Sequence, residues 1–186
     1  MRTKKIRRTF LILTLLAAVE NSVFGATFFI EAKGSFFKPT EKVFQDIYGQ
    51  GPSYGGEIIV SLGKGIGLWI GGDYFSKKGQ LTLSKAETSI QITPVYGGLK
   101  WYFSRGKFRP YIGGAVGYFS FKESNVLGTF QKSEVGYLGQ LGFLFLPFKS
   151  FFIDLQGSYS YCPAKSAEFK ADLGGLSGAA GFGFTF

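Results

Sequence analysis

The stretch FFIDLQGSYSY, Phe151–Tyr161, divides by parity. Phe151, Ile153, Leu155, Tyr159 and Tyr161 fall on one face of an extended chain, and Phe152, Asp154, Gln156, Ser158 and Ser160 on the other. Successive side chains of a strand point to opposite sides, so period two is the mark of a β-strand whose two faces meet different surroundings. One face here is greasy, with aromatic residues at its ends. The other is mostly polar.

The same pattern recurs outward from this stretch. At the amino end, Phe28, Ile30, Ala32 and Phe36 alternate with Glu31, Lys33 and Ser35. At the carboxyl end, Leu176, Ala180, Phe182, Phe184 and Phe186 alternate with the small set Gly175, Ser177, Ala179, Gly181, Gly183 and Thr185. Five further strands are predicted near residues 54–62, 66–76, 88–103, 111–122 and 134–146, which makes eight, an even number. The strand at 88–103 changes phase around Pro94. Ile90 and Ile92 are assigned to the outer face above it, and Leu99, Trp101 and Phe103 below it, with a β-bulge to absorb the shift.

The connections alternate in length. Residues 63–65, 104–109 and 147–150 make short turns, whereas 38–53, 77–87, 123–133 and 162–172 make long loops. Short turns on one side and long loops on the other are the pattern of a membrane-spanning barrel with both termini on the periplasmic side. The expected fold is therefore all-β: an eight-stranded antiparallel up-and-down transmembrane β-barrel. No stretch after residue 26 reaches the roughly 18 apolar residues of a membrane helix.

The first 26 residues read as something else. Arg2, Lys4, Lys5, Arg7 and Arg8 precede a short apolar run from Phe10 to Val19, the layout of a secretory signal peptide, so residues 1–26 are expected to be a signal peptide and 27–186 the barrel. Removing five basic residues and one acidic residue lowers the net charge from +9 to about +5. Export removes the opportunity to meet nucleic acid, despite the basic balance.

Composition fits the same scheme. The chain has 28 Gly, 22 Phe and 10 Tyr, and only 18% charged residues. In a bilayer every backbone polar group must be paired, which a sheet achieves only by closing on itself. Eight strands close around a space that side chains can fill, so inward glycines make room while outward aromatics suit the two interfaces. The predicted interior charges are Glu31, Lys33, Glu57, Asp73, Lys100 and Asp154. They are expected to form a polar network, centred on Lys33 and Lys100, that blocks the lumen, since an unpaired charge there is costly.

Two segments carry a family resemblance: RPYIGGAVGYF at 109–119 and GFGFTF at 181–186. The chain resembles the small eight-stranded outer-membrane barrels, such as the OmpA transmembrane domain and OmpX-like proteins, over the whole of residues 27–186. The carboxyl end looks like the signal by which the barrel-assembly machinery recognises its clients, with Gly181, Phe184 and Phe186 as its carriers. Ala179 departs from the polar residue usual at the start of that signal. The resemblance implies folding in the outer membrane, with its lipid and the assembly machinery as partners, and no particular activity.

Chemistry is sparse. The chain has no histidine, on which the known small barrel enzymes of the outer membrane rely, and its carboxylates are dispersed over separate strands. No enzyme activity, cofactor or metal site is expected. Cys162 is alone and reads as a free thiol in a loop. In the first long loop, Thr40 resembles a helix N-cap and Val43, Phe44 and Ile47 follow at helical spacing, so Phe44 and Ile47 are expected on a short amphipathic helix that caps the barrel or meets a surface partner. The turns carry Lys64, Arg105, Lys107, Arg109 and Lys149 without an acid, which reads either as simply solvated turns or as a composition suited to anionic lipid heads of the inner leaflet. The sequence thus suggests a monomeric, non-enzymatic outer-membrane protein with a structural or surface-interaction role. The alternative is a narrow channel for small or hydrophobic solutes, as in OmpW-like barrels. A soluble lipocalin-like carrier would need an apolar inside and a polar outside, the inverse of this pattern.

Overall fold

The computed structural model describes residues 27–80, 86–126, 128–165 and 170–186. The expected signal peptide, residues 1–26, lies outside the described residues, as do parts of the second, third and fourth loops. Eight long strands form one closed antiparallel barrel: β1 (Phe28–Pro39), β2 (Gly51–Gly63), β3 (Ile66–Gln80), β4 (Glu87–Tyr102), β5 (Phe108–Asn125), β6 (Gly128–Phe145), β7 (Phe151–Tyr161) and β10 (Gly175–Thr185). A helix, α1 (Lys42–Tyr48), lies between β1 and β2, and a short hairpin, β8 (Pro163–Lys165) with β9 (Lys170–Asp172), lies between β7 and β10.

Each barrel strand pairs with the next barrel strand along the chain, β7 with β10 across the small hairpin, and β1 closes the ring on β10 from Phe29 opposite Thr185 to Pro39 opposite Gly175. At the seam, Phe28 and Phe186 exchange two backbone hydrogen bonds of 3.1 and 2.9 Å. Closure leaves no barrel strand with an open edge. That is the condition for a sheet to stand in hydrocarbon.

The parity seen in the sequence decides which way each face points. Ile30, Ile58, Leu68, Leu99, Val116, Leu141 and Leu155 are outward and exposed, Leu141 by 62%, while Phe29, Ile59, Trp69, Lys100, Leu144, Phe152 and Asp154 are inward and buried. An apolar belt of this extent is far larger than a soluble monomer exposes. Its natural surroundings are lipid.

Strand β4 departs from the expectation. Ile90 and Ile92 are buried inside, in phase with Tyr96 and Lys100, and the register with β5 runs unbroken from Thr88 opposite Asn125 to Tyr102 opposite Tyr111. There is no bulge at Pro94. The ladder with β3 merely pauses opposite Asp73 and Tyr74 and resumes on the same register, which is what a missing N–H requires and no more. The two isoleucines face inward because the upper end of the barrel is filled by an apolar cluster rather than by a polar one.

The loop lengths also need correction. Strands β5 and β6 stay paired to Asn125 opposite Gly128, so most of the expected third long loop is strand, and β3 with β4 pairs as far as Gln80 opposite Glu87. Polar residues beyond the apolar belt pair as well as those within it. They project as two-stranded arms rather than as loops.

The β2–β3 turn is the most constrained. Gly63, Lys64 and Gly65 all have positive φ, 80°, 51° and 83°, and the β2–β3 register shifts between Ser61 and Gly63. Glycines on either side let the chain take this left-handed path with only Lys64 strained.

Candidate functional site

The interior is layered. Nearest the turns, Phe29, Ile59, Leu144, Leu146 and Phe152 form an apolar floor, with Phe29 and Phe152 packed edge to face at 5.7 Å. Above it lies a charged layer. Lys33 Nζ is 2.7 Å from Glu57 Oε1, 2.9 Å from Tyr96 Oη and 3.5 Å from Asp73 Oδ1. Glu57 turns its other oxygen to Lys100 Nζ, and the Tyr96 hydroxyl donates to Asp73.

Glu57 thus stands between two ammonium groups. Lys100, only 1% exposed, also lies 5.0 Å from the Trp69 ring and 4.7 Å from the Tyr111 ring. Removing an ammonium from water costs several kcal/mol even after relaxation. A carboxylate and two aromatic faces offset much of that, the rings contributing as cation–π partners.

Small residues make this layer possible. A Cβ on Gly71 would sit 2.7 Å from Tyr96 Cε2 and 2.9 Å from Glu57 Cγ, so β3 must be bare there for Glu57 on β2 to reach Lys100 on β4. Gly55 likewise lies under the Asp73 carboxylate, and Gly181 under that of Glu31. The glycine excess is a space requirement of a narrow lumen.

The six charges expected inside are therefore all placed toward the lumen, but not in one network. Lys33, Glu57, Asp73 and Lys100 are brought together as described. Asp154 sits apart, accepting a 2.6 Å hydrogen bond from the Tyr111 hydroxyl. Glu31 is 4% exposed, and no hydrogen-bond donor among the described residues reaches either carboxyl oxygen. Tyr96, Tyr111 and Trp69 were missed. Parity alone would have found Tyr96, which stands four residues before Lys100 and on the same face.

The third layer closes the top. Phe44 and Tyr48 of α1 are buried in a cluster with Phe75, Ile90, Ile92, Phe119, Phe121 and Cys162. The helix begins one residue later than expected, with Glu41 rather than Thr40 at its N-cap and no side-chain cap. Thr40 instead donates its N–H to Gly174 O, tying the first loop to the fourth. Phe44 points into the barrel and Ile47 is half-buried at its edge, while Val43 faces out. Tyr48 Oη is 3.0 Å from Thr88 Oγ1, anchoring the helix to β4.

Of the three carboxyl-end residues singled out, Gly181 lies inside beneath Glu31, and Phe184 and Phe186 face outward. Phe184 packs edge to face on Phe151 at 5.8 Å.

No protein-family model matches the chain, and no curated protein matches it in sequence. Among solved structures it is similar to the outer membrane protein OprG of Pseudomonas aeruginosa, with a TM-score of 0.68 and 16% identity over 87% of this chain and 96% of that one. It is similar to Neisserial surface protein A, with a TM-score of 0.64 and 15% identity over 88% of this chain and all of that one, 100%. It is also similar to E. coli outer membrane protein W, with a TM-score of 0.54 and 17% identity over 87% and 98% of the two chains. At such identities the likeness is one of architecture. The chain has the fold of the small eight-stranded outer-membrane β-barrels.

Proposed function

We propose that this protein is a non-conducting, non-enzymatic barrel of the bacterial outer membrane, a scaffold that holds α1 and the paired arms at the cell surface with both termini in the periplasm. The observation that carries this reading is the filled lumen. An apolar floor, the Lys33–Glu57–Lys100 layer and the α1 cluster follow one another along the axis. The space left between the upper two layers is a chamber of about 40 Å³, lined by Ser53, Asp73, Phe75, Pro94, Tyr96 and Phe119. That is room for roughly three waters and too little for a passing solute.

The asymmetry of the connections supports this orientation: tight turns stand at one end and long arms at the other, which in outer-membrane barrels face the periplasm and the exterior respectively. The exposed apolar belt supplies the membrane. A narrow channel, the competing reading, would require the buried ion pairs to part. Planar-bilayer recording from the refolded barrel tests the point. The expected trace is silent; stable ohmic steps that persist across preparations would establish a channel instead.

A further inference from the structure

The three tight turns at one end of the barrel bear side-chain charge of one sign. Lys64 tips the β2–β3 turn, Arg105 and Lys107 the β4–β5 turn with Arg109 at its exit, and Lys149 the β6–β7 turn. No Asp or Glu occurs in residues 63–65, 103–110 or 146–150. Lys64, Arg105, Lys107 and Lys149 are exposed and Arg109 half-buried, and none of them takes part in the ion pairs found among the described residues. The opposite end is mixed: Lys38, Glu41, Lys42 and Asp46 share one arm, and Lys132 pairs with Glu134 at 2.6 Å.

These cations ride on a braced rim. Tyr102 N–H donates to Gly65 O at 2.7 Å, Leu146 N–H to Lys107 O at 2.7 Å, and Thr185 Oγ1 to Lys149 O at 2.7 Å, so each turn is fastened to the next strand pair. Arg109 Nε donates to Gly106 O at 2.9 Å, which fixes its guanidinium at the edge. Immediately above the rim, the outward face carries aromatic residues in stacked pairs, Trp101 on Phe103 at 6.3 Å and Phe108 on Phe143 at 5.3 Å. Aromatic side chains in such a girdle sit at headgroup depth. The cations one step beyond them stand level with lipid phosphates.

We propose that this rim is a binding surface for anionic glycerophospholipid, of the phosphatidylglycerol class, in the leaflet that meets the turns. The membrane and orientation are those of the function proposed above, on which this inference rests. Each cation brought to an anionic surface favours it by about fivefold. Several on one rigid ring select charged over zwitterionic lipid without any single specific pocket.

The test is lipid selectivity of the refolded barrel in phosphatidylcholine vesicles, read by electron paramagnetic resonance of spin-labelled phosphatidylglycerol or phosphatidylcholine. The wild type is expected to immobilise the anionic label in preference to the zwitterionic one, and high salt to reduce the preference. The variant K64Q/R105Q/K107Q/K149Q is expected to lose it while keeping the heat-modifiable gel migration of a folded barrel. Should that variant not fold, Lys64→Gln and Lys149→Gln taken singly are expected to lower the preference in part. Equal immobilisation of both labels by an inserted wild type, or an undiminished preference in the folded variants, overturns the rim. Failure of the wild type to insert at all overturns the membrane reading beneath it.

Discussion

Lys33 on β1 reaches Glu57 on β2 diagonally, 2.7 Å from nitrogen to oxygen, and both side chains are shut off from solvent. Glu57 is shared with Lys100 on β4, so one carboxylate serves two cations. Removing it leaves both ammonium groups buried and only one of them with another acid, Asp73, in reach. Breaking a buried pair in this way costs about 3–5 kcal/mol. Glu57→Gln is expected to lower the unfolding free energy in vesicles by that order, measured by urea titration of tryptophan fluorescence. Lys33→Met, which leaves Lys100 to neutralise Glu57, is expected to cost less, and the double variant less than the sum. Additive losses would show that the pairs act independently.

Space, as well as charge, is fixed by the inward face. A Cβ on Gly183 would lie 2.1 Å from Ile30 O and 2.5 Å from Phe152 Cζ, at the seam where β10 meets β1. The first of these contacts is backbone and has no rotamer to escape into. Gly183→Ala is therefore expected to reduce the heat-modifiable, folded fraction strongly. Gly178→Ala, on the outward face of the same strand with nothing within 4 Å, is expected to leave it unchanged. Equal tolerance at both positions would contradict the packing at the seam.

Barrel architecture was legible because period two is a local signal: a strand carries it whatever its partners, as Phe151–Tyr161 does. Lys33, Glu57 and Lys100 could be assigned to the interior for the same reason. Their pairing could not, since it depends on the register of β1, β2 and β4 and on the bare Gly71 between them. The upper cluster was misread at Ile90 and Ile92 because the rule that apolar residues face lipid holds only within the bilayer. Above it the interior is the drier side. Glu31 is the remaining discord: its burial without a hydrogen-bond donor among the described residues has no counterpart in the pattern.

The two tryptophans report this inside-out division directly. Trp69 is 2% exposed within the lumen, whereas Trp101 is 59% exposed on the belt. Brominated lipid chains quench indoles that they touch. Quenching in brominated vesicles is expected to fall on Trp101 alone, so Trp101→Phe should remove nearly all of the quenchable signal and Trp69→Phe almost none. A quenchable Trp69 would mean that β3 has its faces reversed.

The α1 lid can be followed through Cys162, which is fully buried against the same cluster as Phe44. Burial, reinforced by the nearby Asp172 and Glu134 carboxylates, pushes its thiol up from 9.0 to about 12. At pH 8 this lowers the thiolate fraction about a thousandfold, so alkylation of the folded barrel should be slow. Burial likewise pushes the Tyr48 hydroxyl up from 10.0 to about 12. For both groups the folded state holds the proton more tightly than the unfolded one. Their contribution is therefore complete below about pH 9 and is lost as pH rises toward 12. Phe44→Ala opens a gap in the lid and is expected to speed iodoacetamide labelling of Cys162 at pH 8 at least about tenfold, since local opening exposes what global unfolding otherwise must. The wild type should show the same acceleration only between pH 9 and 12, beyond the rise due to ionisation of a free thiol. Rapid labelling of the wild type at pH 8 would place Cys162 outside the cluster and leave the barrel without a closed lid.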